Sequence, residues 1–217
     1  MLKHNLGYPR FGIKRQLKKA SEKYWAGKIE QDVLFKVAKE LRYEHWKIQE
    51  NYGLDLIPCN DFSFYDHVLD MSFLLGVIPE RYDPLWNASK NNIDLYFAMA
   101  RGYQKDNLDI TAMEMTKWFD TNYHYIVPEF IYNQKFDIFC TKIFDEFTEA
   151  KQNLSKEPKP VLIGPISYLL LGKEKESNFN RIDLIKNLIP IYIEILIKLK
   201  NAGAKWILFL YLIKDKI

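Results

Sequence analysis

Three short apolar runs, Leu54-Asp-Leu-Ile-Pro58, Pro160-Val-Leu-Ile163 and Trp206–Ile213, are separated by stretches of helical periodicity. That alternation constrains the fold more than any other feature of the chain. Apolar strands that alternate with amphipathic helices bury themselves best as βαβ units in a parallel sheet. The helical stretches are Lys14–Trp25, Gln31–Asn51, Phe64–Leu75, Ile93–Gly102, Lys142–Gln152 and Ile182–Lys200. Within Gln31–Asn51 the positions Leu34, Val37, Leu41, His45 and Ile48 follow the helical step, and Gly53 supplies the stop. Ile182–Lys200 carries the stripe Ile185, Leu188, Ile189, Tyr192, Ile195, Leu196 and Leu199. Pro190 is expected to kink this helix, and Asn201-Ala-Gly203 to end it.

A chain of 217 residues, 48% apolar, suffices for one sizeable core or a large part of one. No repeat, linker or low-complexity segment divides it. Cys59 and Cys140 lie too far apart in sequence to suggest a disulfide framework, so a reduced cytoplasmic setting is expected. The N-terminus lacks the short apolar core of a secretory signal. The most apolar windows are too charged or too short to span a membrane. A net charge of +3 is too small and too dispersed to mark a nucleic-acid binder.

No Gly-rich nucleotide loop, P-loop or Cys-x-x-Cys is present, and His4, His45, His67 and His124 show no metal-ligand spacing. Three features could carry chemistry. Lys14-Arg15-Gln16-Leu17-Lys18-Lys19 opens a helix just after Pro9-Arg10-Phe-Gly12. It reads either as a solvated helix face or as a seat for a polyanion, drawn by free N–H groups, the helix dipole and charge-assisted hydrogen bonds. Glu114–Phe130 packs Trp, Tyr, Phe and His around Lys117 with no clean period, and reads as a shaped site or an irregular corner. Its lysine is either a cation aimed into that site or one lying along the indole. Asp66-His67 hints at acid–base work, but neighbours on a helix do not face each other, which favours a structural role.

Five blocks resemble the N-terminal part of cobalamin-independent methionine synthase, a methyltetrahydropteroyltriglutamate–homocysteine methyltransferase. They are Leu-Gly-Tyr-Pro-Arg-Phe-Gly at 6–12, Leu-Lys-Lys-Ala-Ser-Glu-Lys-Tyr-Trp-Ala-Gly at 17–27, and Asp61-Phe-Ser-Phe-Tyr-Asp-His-Val-Leu69. Glu114–Phe130 and the run from Pro160 to Gly172 complete the set. The resemblance implies an α/β fold, an incomplete (βα)8 TIM-type barrel with parallel strands and outer helices. Residues 1–207 would be the partial N-terminal barrel and 208–217 a divergent apolar tail, of the kind a frameshift or split gene leaves. A whole barrel takes about 250 residues.

By the same resemblance, the family's folate-contact stretch falls on Arg15, Gln16, Leu17 and Lys18, with Gln16 standing where glutamate is usual. Its contact lysine falls on Lys117. The implied partner is 5-methyltetrahydropteroyltriglutamate, with no nucleic acid and no membrane. Zinc, the family's cofactor, belongs to a C-terminal barrel missing from this sequence, so this chain is expected to bind none and to hold no catalytic residue. Three functional readings stay open: an inactive fragment contributing folate binding, half of a split enzyme with a separately encoded C-terminal barrel, and a folate-polyglutamate binding module.

Overall fold

The computed structural model describes residues 1–86, 93–105 and 107–211. Its elements, in order, are α1 (Gln16–Trp25), α2 (Gln31–Asn51), β1 (Leu56–Cys59), α3 (His67–Leu74), a 3-10 turn (Glu80–Leu85), α4 (Ile93–Arg101), β2 (Tyr103–Lys105), β3 (Leu108–Ile110), β4 (Met115–Lys117), β5 (His124–Ile126), β6 (Glu129–Phe130), α5 (Lys142–Asn153), β7 (Glu157–Ile163), α6 (Pro165–Leu171), β8 (Lys173–Glu174), a second 3-10 turn (Arg181–Leu184), α7 (Ile185–Asn201) and β9 (Leu208–Leu210). The three apolar runs form one sheet in the order β1-β7-β9. β1 and β7 are parallel, with Leu56 opposite Glu157 and Cys59 opposite Pro160. Parallel strands joined through helices give the expected α/β pattern of an incomplete (βα)8 barrel.

β7 starts three residues before the apolar run predicted for it, despite Pro158 and Pro160. The reason lies in which way the nitrogens point. Gly164, at an even position like both prolines, donates its N–H to Leu210 O at 2.8 Å. The donor-less proline nitrogens therefore face the β9 side, before that ladder begins.

The N-terminal arm was not predicted as a strand. His4 forms a parallel bridge with Leu56, and the N–H groups of Asp55 and Leu56 both bond Lys3 O. The arm thus lines β1 as a further, barely formed parallel strand. A single bridge is too short to leave a period in the sequence.

The chain divides into two compact units, each assembled from segments distant in sequence, which is why no linker marks the division. The first comprises Met1–Phe64, Lys142–Leu162 and Leu199–Leu208. Its core packs Leu34, Leu41, Trp46, Ile57 and Phe147, all nearly inaccessible. The Trp46 indole donates to Pro58 O at 3.1 Å, fixing α2 against β1. Arg42 of α2 pairs with Glu149 of α5 at 2.6 Å.

The second unit comprises Tyr65–Thr141, Ile163–Lys198 and the chain from Phe209. Here α3 begins at His67, not at Phe64 as the apolar pattern suggested. Asp66 is its N-cap, and one carboxylate oxygen accepts from the N–H groups of Val68 and Leu69. α6, too short to show a period, follows Pro165 at its first turn.

α7 runs on through Pro190. It buries Leu188, Tyr192 and Ile195, while Ile189, Ile193 and Ile197 are exposed. Ile189, expected in the buried stripe, therefore belongs to the outer face. Of the strand expected over Trp206–Ile213, Leu208–Leu210 is observed and residues 212–213 lie outside the described residues. The same holds for most of the expected tail at 208–217. Among the described residues no helix is long and apolar enough to cross a membrane.

Candidate functional site

Within the first unit the arm and β1 run the same way, so the arm's continuation emerges at the C-terminal end of β1. In (βα)8 folds that end carries the site. The arm is pinned along its length. Lys3 N–H donates to Asp55 at 2.9 Å and Asn5 Nδ2 to Gln49 at 2.8 Å. Tyr8 N–H donates to Asp61 Oδ2 at 2.8 Å, and the Tyr8 ring lies 4.5 Å from the His45 ring of α2.

Beyond the arm the backbone turns sharply twice. Gly12 sits at φ 73°, where a Cβ would collide with Gln16 and Leu41. Arg15, at φ 55° and ψ 41°, is left-handed and forms the N-cap of α1 without a side-chain cap. For a non-glycine residue this is a strained conformation, of a kind that clusters at functional sites. Gln16 Oε1 accepts from Lys14 N–H at 2.9 Å, so its side chain serves the turn. The first turn of α1 carries no acidic residue, while Lys18 and Lys19 stand exposed. Lys18 pairs with Glu22 at 3.8 Å with both side chains solvated, which weakly restrains it.

Arg15, Gln16, Leu17 and Lys18 are thus brought together at one end of the strands. They do not present themselves alike. Leu17 is 1% exposed and packs with Ala38, Leu41 and Phe62, so its side chain belongs to the core, and its N–H is spent on Phe11 O at 3.3 Å. A groove of about 340 Å3 runs from Gln16 between α1 and α2. Its α1 wall bears Lys19 and Lys23 and its α2 wall Glu40 and Glu44, so it does not attract anions uniformly.

Sequence reasoning missed a polar set beneath the arm. Lys159, buried in β7, donates to Asn5 O at 2.8 Å and lies 3.2 Å from His4 Nδ1. Burial lowers its pKa, opposed by the nearby Asp61 charge. Enclosure pushes the Asp61 carboxyl up to about 7, against the Tyr8 N–H bond and Lys142, while Glu146 adds to the rise. Lys142 itself bonds Asn60 Oδ1 and Phe62 O at 3.0 and 2.7 Å and pairs with Glu146 at 3.3 Å. The Asn60 amide donates to Val161 O at 2.8 Å. Burial also lowers the pKa of His45. A lysine inside the otherwise apolar run Pro158–Ile163 was the one signal available in the sequence.

Lys117 belongs to the second unit. The aromatic segment is not an irregular corner: it contains an antiparallel hairpin of β4 and β5, in which Lys117 pairs with His124. Trp118 turns the chain, its N–H donating to Tyr123 O at 2.7 Å. Its ring meets Phe119, Tyr123 and Tyr125 edge-on at 5.5–6.0 Å. The aromatics pack mainly on one another, and Lys117 is left exposed at the end of β4. Asp66 anchors the hairpin: its second carboxylate oxygen accepts Ile126 N–H at 3.1 Å. Enclosure raises this carboxyl to about 7 against its three N–H donors. Asp66 is therefore a cap and tether, the structural alternative for the Asp66-His67 pair. Among the described residues no three His, Cys, Asp or Glu side chains are grouped to hold a metal ion.

Comparison with known proteins adds the following. The profile of a family described as "Cobalamin-independent synthase, N-terminal domain" matches residues 2–210. A 5-methyltetrahydropteroyltriglutamate–homocysteine methyltransferase of Cytophaga hutchinsonii is 62% identical over 208 residues, covering 95% of this chain and 27% of that protein. Proteins of the same name from Flavobacterium johnsoniae and Salinibacter ruber are 61% and 48% identical over 95% and 93% of this chain, and 26% of theirs. The chain spans about a quarter of the length of these relatives. Among solved structures, a B12-independent methionine synthase from Shewanella sp. W3-18-1, in complex with selenomethionine, superposes with a TM-score of 0.56 at 14% identity. The match covers 84% of this chain and 43% of that one, and supports the fold alone.

Proposed function

The chain belongs to the cobalamin-independent methionine synthase family, as its N-terminal domain, and from that premise we propose that it binds the glutamate tail of methyltetrahydropteroyltriglutamate without catalysing methyl transfer by itself. The observation that carries this reading is the start of α1. Arg15 and Lys18 flank a first turn without acidic residues, at the end of the strands where barrel sites form. A row of γ-linked carboxylates suits such a place, because helix N–H groups and cations both favour negative charge. Lys117 is proposed as the second cation of the folate site, on the resemblance alone. Gln16 and Leu17 contribute turn geometry rather than charge.

The catalytic half of the reaction is assigned to the zinc-bearing barrel of the longer relatives, and none of its steps to this chain. When bound there, zinc supplies a thiolate, the reactive form of a thiol that is otherwise mostly protonated at neutral pH. The described residues offer no donor set for such an ion. A cytoplasmic setting goes with this reading. A second reading, half of a split enzyme, is favoured by the exposed isoleucines of α7, which suit a further layer of protein.

Titration calorimetry of the purified chain with methyltetrahydropteroyl tri- and monoglutamate tests the proposal. Tighter binding of the triglutamate, with no methionine formed from added homocysteine, is expected. Equal binding of both forms, or none, overturns tail recognition, and turnover by the chain alone overturns the assignment of catalysis elsewhere. Methionine formed only on adding a C-terminal-barrel polypeptide would establish the split enzyme.

A further inference from the structure

We propose that Asp61 is a positioning residue for tail recognition: by holding Tyr8 and Gly7 it sets where the following segment presents Arg15 and Lys18. This rests on the reading of α1 given above. Asp61 lies just past the end of β1, on backbone fixed by the Asn60 bond to Val161 O of β7. Its carboxylate therefore projects from a segment tied to β7. The arm meets it at two adjacent residues. Tyr8 donates its N–H to Oδ2 at 2.8 Å. Gly7 passes so close that an added Cβ would stand 3.3 Å from Oδ2 and 3.4 Å from the Asp61 Cβ.

The other polar anchors of the arm, at Lys3, His4 and Asn5, lie upstream and hold its strand-like part. Asp61 holds the arm at Tyr8, ahead of the turn at Gly12. The turn itself is closed by short-range bonds, Arg15 N–H to Gly12 O at 3.0 Å and Leu17 N–H to Phe11 O at 3.3 Å. Those bonds shape the turn but do not fix its place relative to the sheet. Leu17, buried against α2, fixes the helix body, and the Tyr8–Asp61 contact fixes the approach. Asp61 touches none of the side chains assigned to the ligand, so its effect is on their placement. Lys142, Lys159 and Glu146 surround the carboxylate, and Asp61→Ala removes its charge as well as its hydrogen bond. An amide isostere separates the two, because its oxygen still accepts from Tyr8.

The test compares the unchanged chain with Asp61→Ala, Asp61→Asn and Gly7→Ala, using methyltetrahydropteroyl tri- and monoglutamate as probes, with thermal unfolding of each variant. Loss of a charge-assisted hydrogen bond at a positioning contact predicts that Asp61→Ala weakens triglutamate binding by about tenfold while monoglutamate binding changes by less than about twofold. Asp61→Asn should preserve the preference. Gly7→Ala, whose methyl would press on the unsubstituted Asp61 side chain and push the arm away, should reduce it. Loss of affinity for both ligands in proportion to lost thermal stability would make Asp61 merely structural and overturn the proposal. So would an unaltered preference in Asp61→Ala, with the reading of α1 intact. Should the unchanged chain show no preference for the triglutamate, that reading falls and this inference with it.

Discussion

Arg15 couples charge to strain. Its left-handed backbone costs about 1–2 kcal/mol for a residue bearing a Cβ, a cost glycine avoids. Arg15→Gly is therefore expected to raise stability by up to about 1 kcal/mol in denaturant unfolding while weakening triglutamate binding. Arg15→Ala should weaken binding equally with no gain in stability. Leu17→Ala at the next turn should cost about 2–4 kcal/mol, since its side chain fills the contact with Ala38, Leu41 and Phe62. The charges at Arg15 and Lys18 were legible in the sequence. The strain at Arg15 was not, because nothing in Lys-Arg-Gln requires a positive φ. Nor was the partnership of Asp61 with Tyr8, or of Lys159 with Asn5, which arises only where the arm crosses the strand ends.

At the scale of elements, length and period decided what could be read. α2 is observed over the predicted residues because its apolar stripe is long and Gly53 ends it. β2 to β5 were missed because strands of three residues hold no period, and the aromatics of the β4–β5 hairpin obscured its turn. On α7 the sequence could not say which of two apolar faces turns inward. The outcome, with Ile193 and Ile197 about half exposed, leads to a prediction. Replacing both with lysine should reduce self-association in size-exclusion chromatography without altering the circular dichroism spectrum. Phe209, by contrast, stacks on Tyr192 and is a poor choice for solubilising. Asp66→Ala strips one carboxylate from three N–H donors and should cost about 2 kcal/mol or more, with faster hydrogen exchange at Ile126.

For the molecule as a whole, two carboxyls set the response to pH, one in each unit. Asp61 and Asp66 titrate near 7 when folded, against an ordinary value of 3.8. The folded state thus keeps these protons at pH values where the unfolded chain has lost them. Stability should fall as pH rises from about 4 to about 7 and then level off. His45, with its pKa lowered, works the other way below its ordinary range, but it is one group against two. Glu50, held down at about 2, opposes them only in stronger acid. A thermal midpoint that peaks near pH 4 is expected, and Asp61→Asn should flatten the decline above it. The bond from Lys159 to Asn5 joins residues 154 positions apart. A ribosome adding roughly 5–20 residues per second needs about 8–30 seconds to cross that interval. The arm, made well before β7, must therefore wait for that strand before it can dock, which makes the nascent arm a natural client for chaperones.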